Sequence, residues 1–186
     1  IRTFHSASFQ ILRMEIEKLG FRKGFTILDE GEQKTVIKEC LRELQQHDTR
    51  PELISYLIKQ AKNSLAEPEQ FFAGIKAAPH HRELYTRIYR LYSSRLRELN
   101  ALDFEDLIGL TVKLFREYPA VLQSYQERFP YVMVDEYQDT NYAQFVWTKL
   151  LAGENGNVFV VGDPDQSIYS WRGAEPYNIE RFLDTY

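Results

Sequence analysis

Two short apolar runs, each ending in acidic residues, carry the chemistry of this chain. Tyr131–Val134 leads into Asp135 and Glu136, and Val158–Val161 leads into Gly162, Asp163, Asp165 and Gln166. Both runs are β-branched, lack polar alternation and are too short for a helix, which predicts strands buried on both faces of a parallel sheet. Between them Phe145, Val146, Trp147, Leu150 and Leu151 form a helical stripe, with Asp139 or Thr140 as the expected N-cap. Strand, helix, strand is a right-handed unit with parallel strands, so both C-terminal strand ends meet at one sheet edge. An edge of this composition suits nucleotide hydrolysis. A hard Mg²⁺ ion takes oxygen ligands and keeps several waters, so one carboxylate, Asp135, is enough to anchor it beside a triphosphate, directly or through water. The adjacent Glu136 can orient and deprotonate an attacking water. The side-chain amide of Gln166 can sense the terminal phosphate. A bare strand that simply ends in Asp-Glu at solvent is the competing interpretation, and the second strand's GDPDQSIYSWRGA weighs against it.

At these residues the chain resembles a known family. DEYQDTN (Asp135–Asn141) followed by VVGDPDQSIYSWRGA (Val160–Ala174) is similar to the second and third signature motifs of the UvrD/Rep/PcrA group of superfamily 1 DNA helicases. The opening TFHS (Thr3–Ser6) and LDFEDLI (Leu102–Ile108) match two further landmarks, in family order and spanning nearly the whole chain. The resemblance implies an α/β fold: part of a RecA-like parallel-sheet motor domain of the P-loop NTPase type, with a mostly helical inserted subdomain. Residues 1–20 and 101–186 would belong to the motor layer and 21–100 to the insertion. It also implies ATP and magnesium as cofactors, single-stranded DNA and single/double-strand junctions as partners, and 3′ to 5′ translocation in DNA repair or replication.

The DNA contacts have their own chemistry. Thr3 and His5 are short donors at a strand-to-helix turn, suited to a phosphate oxygen, and the resemblance implies that this motif touches the DNA backbone. A lone histidine at a helix start is otherwise more often structural. Tyr169 and Trp171, two residues apart in a loop, can offer flat faces to unstacked bases, and Arg172 can neutralise a phosphate or pair with a carboxylate. The resemblance implies coupling here, with one loop reaching the nucleotide through Gln166 and DNA through Tyr169 and Trp171.

The elements that must position these groups are mostly helical. Ser6 is the expected N-cap of a first helix carrying Phe9, Leu12, Ile16 and Leu19, and Ile1–Thr3 looks like the tail of a strand. Gly20–Gly31 is turn-rich. From Glu32 to about Asn100 there is no convincing strand. Val36, Ile37, Cys40, Leu41 and Leu44 form one stripe. Leu53, Ile54, Leu57, Ile58 and Ala61 form a second, entered through Pro51. Pro68 and Phe71–Phe72 open a short helix or turn. Leu84, Ile88, Leu91 and Leu99 follow along a longer helix, with Tyr85, Tyr89 and Tyr92 beside them. Its arginines, Arg82, Arg87, Arg90, Arg95 and Arg97, suit either a nucleic-acid face or a solvated one, and the solvated face is preferred. Asp103 caps a helix with Leu107, Leu110, Leu114 and Phe115, and Pro119 starts the last helix before Tyr131.

Composition sets the outer bounds. The 186 residues carry a net charge of −4, so any DNA affinity must come from local patches. The single cysteine, Cys40, excludes an internal disulfide and fits a reducing cytoplasm. No apolar run approaches membrane-spanning length. None of the nine glycines is followed by lysine, so the phosphate-cradling GxxxxGK(S/T) loop that such a motor needs is not among these residues. The chain is therefore expected to be a fragment holding the magnesium and water half of an ATP site, inactive alone and completed by the remainder of the helicase chain. Without a neighbouring loop-bearing strand, the Val158–Val161 edge should be unpaired. Two other functions compete: a binding module that has lost catalysis, and part of a helicase-nuclease. The intact Asp135-Glu136 pair and Gln166 favour the enzyme.

Overall fold

The computed structural model describes residues 1–153, 156–166 and 177–186. Helix α1 spans Phe4–Glu15 and passes into a 3₁₀ turn at Ile16–Leu19. Its N-cap is Thr3, not Ser6: the Thr3 hydroxyl accepts from the Ser6 amide at 3.2 Å. Residues 1–3 are extended at the cap but pair with no strand among the described residues. The turn-rich stretch after α1 hides a two-residue strand, β1 (Thr26–Ile27). Two residues are too few for any periodicity to register.

Helices α2 (Glu30–Glu43), α3 (Pro51–Asn63), α4 (Pro68–Gly74) and α5 (Pro79–Leu99) follow. Pro51, Pro68 and Pro79 each sit in the first turn, where the missing N–H has no helical partner to lose. Leu99, expected inward on α5, is exposed, because Asn100 ends the helix in the left-handed region at φ 51°. Strand β2 (Ala101–Leu102) pairs in parallel with β1. Helix α6 (Phe104–Glu117) is capped by Asp103, whose carboxylate accepts from the Asp106 amide at 2.9 Å while Asp106 accepts from the Asp103 amide at 3.2 Å. Helix α7 (Pro119–Arg128) leads to β3 (Val132–Val134). A 3₁₀ turn at Tyr137–Asp139, helix α8 (Tyr142–Ala152), β4 (Val158–Val160), a second 3₁₀ turn at Pro164–Gln166 and α9 (Tyr177–Thr185) complete the chain.

β3 and β4 are parallel, with Val132, Met133 and Val134 opposite Val158, Phe159 and Val160. Among the described residues each strand has one partner. The strands are not buried on both faces. Val132 and Val134 point into the core, but Met133 is 77% exposed and Phe159 58% exposed. α8 covers one face of this two-stranded sheet, and no described element covers the other. The N-cap of α8 is Asn141, not Asp139 or Thr140, because Asn141 and Gln144 exchange reciprocal capping bonds at 3.0 and 2.9 Å.

Two apolar clusters hold the molecule. One joins α1, α6, α7, α8 and β3 around Leu12, Ile16, Leu114, Phe115 and Trp147. The other joins α2, α3 and α5 around Ile37, Ile54, Ile58, Ile88 and Tyr92, and it buries Cys40. Each fully buried side chain of this kind contributes about 1.5–3 kcal/mol. The α5 arginines mostly face solvent: Arg95 pairs with Glu43 and Glu98, and Arg90 with Glu69.

Candidate functional site

The strand edge gathers the acidic residues as the topology requires. Asp135 and Glu136 leave β3 exposed to solvent. Glu136 lies in the left-handed region at φ 52°, ψ 45°, a conformation that costs a non-glycine residue about 1 kcal/mol or more. The strain turns the chain sharply off the strand, and the next residues wind into the 3₁₀ turn. The Glu136 amide donates to Asp135 Oδ1 at 3.0 Å, which fixes the Asp135 carboxylate against the start of the turn.

The residue that binds the edge together is Gln138, a position sequence reasoning did not single out. It is 2% exposed. Its Nε2 donates to Glu136 Oε2 at 2.7 Å, and its Oε1 accepts from the Asp163 amide at 3.0 Å. Only one orientation of the amide satisfies both partners. The Tyr137 amide donates to Val161 O at 2.9 Å, a second tie between the strand ends. Gly162 is required by this closeness, since a Cβ there would stand 2.6 Å from Gln138 Oε1 and 3.1 Å from the Tyr137 amide nitrogen. The turn is held from behind by the buried Asn178 of α9. Asn178 Nδ2 donates to Thr140 O at 2.8 Å, and the Thr140 hydroxyl donates to Tyr137 O at 2.7 Å.

Gln166 belongs to the same edge without touching Glu136. Its Nε2 donates to Asp163 Oδ2 at 2.8 Å, and Asp163 Oδ1 accepts from the Asp165 amide at 3.0 Å. Glu136, Gln138, Asp163 and Gln166 thus form one hydrogen-bonded line across both strand ends. Tyr169, Trp171 and Arg172 lie outside the described residues.

Asp135 fits a magnesium ion held together with phosphate and water. It is exposed, anionic and at a strand end, and one of its oxygens is committed to the Glu136 amide. Among the described residues no group of three or more His, Cys, Asp or Glu side chains could hold a metal by itself. Magnesium shared with a nucleotide needs no such cage.

The expected DNA contacts sit elsewhere. Thr3 is exposed, and its hydroxyl is engaged as the α1 cap. His5 lies against Phe104, ring centroids 4.5 Å apart. Burial, with the Lys59 charge adding to it, lowers the His5 imidazole below its usual range, which favours the neutral ring. Phe104 is 50% exposed although it begins a helix packed into the core, so an apolar face stands open beside His5. Sequence reasoning placed Phe104 within LDFEDLI but gave it no role.

Behind Phe104 lies a buried ionic cluster. Lys62, at the end of α3, donates to Asp103 Oδ2 at 2.6 Å and to Asp106 Oδ1 at 2.7 Å. The Tyr92 hydroxyl donates to Asp103 Oδ2 at 3.0 Å, so α3, α5 and α6 meet at one point. Burial opposes the charge on Lys62, but the two carboxylates outweigh it and raise its pKa. Burial likewise opposes ionisation of Asp103, and Lys62 overcomes it and lowers the pKa. For Asp106, burial and the Asp103 charge win, and its carboxyl is pushed up to about 7.

A helix-rich α/β core with short parallel sheets, an Asp-Glu pair at one strand end and a glutamine turn at the next, is consistent with part of a helicase motor domain. The chain belongs to the UvrD/REP helicase family: the family model for the UvrD/REP helicase N-terminal domain matches residues 1–186. It is 45% identical over 188 residues to the ATP-dependent DNA helicase PcrA of Bacillus subtilis strain 168, covering all of this chain and 25% of that protein. It is 43% identical to PcrA of Staphylococcus epidermidis and 42% identical to PcrA of Staphylococcus aureus, each over 99% of this chain and 25% of the relative. The chain therefore spans about a quarter of the length of these relatives. Among the described residues no helix is long and apolar enough to cross a membrane.

Proposed function

We propose that this chain supplies the magnesium and water half of the ATP site, and part of the DNA-binding face, of an ATP-dependent 3′ to 5′ DNA translocase. In this reading residues 1–20 and 101–186 are part of a RecA-like motor domain and 21–100 a helical insertion. The two apolar clusters support that division in the main, with Phe25 and Leu65 packing into the first and Ala101 into the second. The observation that carries the function is the line from Glu136 through Gln138 and Asp163 to Gln166 at the joined ends of two parallel strands.

The groups divide the work. Asp135 holds magnesium, directly or through water. Bound there, magnesium would neutralise charge developing on the terminal phosphate. Glu136 keeps one oxygen on Gln138 and offers the other to the attacking water, whose proton it accepts. Gln166, held by Asp163, is placed to report the state of the terminal phosphate across the same line. Thr3 and His5 meet the backbone of single-stranded DNA, Phe104 extends that face with an apolar ring, and Tyr169, Trp171 and Arg172 contact bases and phosphate. The GxxxxGK(S/T) loop and the partner motor domain come from elsewhere in the full-length protein, and a cytoplasmic location follows from this role.

Steady-state ATP turnover by the full-length protein, with and without single-stranded DNA, tests the proposal. Turnover should require magnesium and rise with DNA. A protein that binds DNA and shows no magnesium-dependent turnover would be a binding module instead.

A further inference from the structure

Among the described residues a short chain of contacts joins the His5–Phe104 face to the nucleotide edge. The His5 ring lies against Phe104, the first residue of α6. The preceding Asp103 and the following Asp106 grip Lys62 of α3 at 2.6 and 2.7 Å. The next residue of α3, Asn63, accepts a hydrogen bond from Asn141 Nδ2 at 3.1 Å, a contact between residues 78 positions apart. Asn141 caps α8 through its other amide atom and its backbone, so it ends the turn that begins at Glu136. We propose that Asn63 is a positioning residue: it registers α3, and with it the His5–Phe104 face, against the turn bearing Glu136, so that DNA bound at that face changes the rate of ATP hydrolysis.

Both ends of this path are rigid. Lys62 cannot slide without leaving two carboxylates buried and unpaired, so α3 and α6 move together. At the other end, Asn178 and Gln138 hold the turn to α9 and to β4, which leaves Asn141 as the described polar contact from α3. A displacement of α6 under DNA therefore has a polar route to the turn through this amide pair, beside the apolar packing of α6 on α8.

The proposal rests on the assignment of the β3–β4 edge as the hydrolytic site, and the test keeps the two separable. The full-length protein is assayed for basal and DNA-stimulated ATP turnover, ATP KM, half-saturating DNA concentration and melting temperature. Asn63→Ala should lower DNA-stimulated kcat by about three- to tenfold, the range one hydrogen bond of this kind supports, and leave basal kcat within about twofold. Asn63→Asp keeps the acceptor for Asn141 and should retain stimulation. Adding Asn141→Asp to Asn63→Asp keeps the α8 cap but sets two carboxylates face to face, and stimulation should be lost again. ATP KM and half-saturating DNA should hold in all three. Stimulation of Asn63→Ala equal to the parent would overturn the coupling. So would basal and stimulated turnover falling together with melting temperature, which is the mark of general destabilisation. Glu136→Gln is run alongside. If it stays active, the edge assignment fails and the coupling with it; if it is inactive while Asn63→Ala is stimulated normally, only the coupling is overturned.

Discussion

Glu136→Gln in the full-length protein should bind ATP with the parent's affinity and hydrolyse it about 10²–10⁴-fold more slowly. The substitution is close to isosteric. A glutamine oxygen can still accept from Gln138 Nε2, so the line to Asp163 and Gln166 stays intact. What is lost is the capacity of the second oxygen to take a proton from water. The left-handed backbone at this position is equally demanding for both residues, so stability should barely change. Turnover measured beside nucleotide affinity checks the result, and near-normal turnover would remove Glu136 from the role of base.

Lys62→Met should destabilise the fold by about 3–5 kcal/mol, the usual cost of leaving a buried carboxylate pair without its cation. Methionine fills most of the aliphatic volume, so the loss isolates the charge. Asp103 and Asp106 would face each other with only the Tyr92 hydroxyl and their capping amides for partners. The pH dependence carries the sign. Asp106 already sits at about 7 with Lys62 in place; removing the cation raises it further and takes away the charge that holds Asp103 low. Groups raised above their unfolded values contribute stability that is full below about pH 4 and is lost as pH rises. The deficit of Lys62→Met relative to the parent should therefore shrink as pH falls from 8 toward 5. Denaturant unfolding at several pH values measures it, and a deficit independent of pH would mean that lost packing, not unpaired charge, is responsible.

How much of this was legible in the sequence follows from the range of each interaction. Local signals worked. Pro51, Pro68 and Asp103 start the helices they were expected to start, and the Tyr131–Val134 and Val158–Val161 runs are parallel strands whose ends share an edge. The α8 cap was misplaced by one or two residues because Asp139, Thr140 and Asn141 are all good caps, and only the reciprocal bond with Gln144 decides among them. Burial of the strands on both faces was overestimated because composition cannot count the layers around a sheet. The contacts that organise the site are long-range and left no local trace. Lys62 meets Asp103 across 41 positions, Asn63 meets Asn141 across 78, and Gln138 acquires its role only when β4 brings the Asp163 amide to it.

The central claim is that the β3–β4 edge holds a magnesium–nucleotide complex through Asp135. Titration of the full-length protein and its Asp135→Asn variant with Mn²⁺ in the presence of ADP, followed by electron paramagnetic resonance, tests it most directly. Asp135→Asn should weaken binding of the metal by about 10–100-fold, the usual loss when a ligand or its water-bridged partner is replaced, and leave metal-free ADP affinity unchanged. Equal Mn²⁺ affinity in the two proteins would contradict the claim.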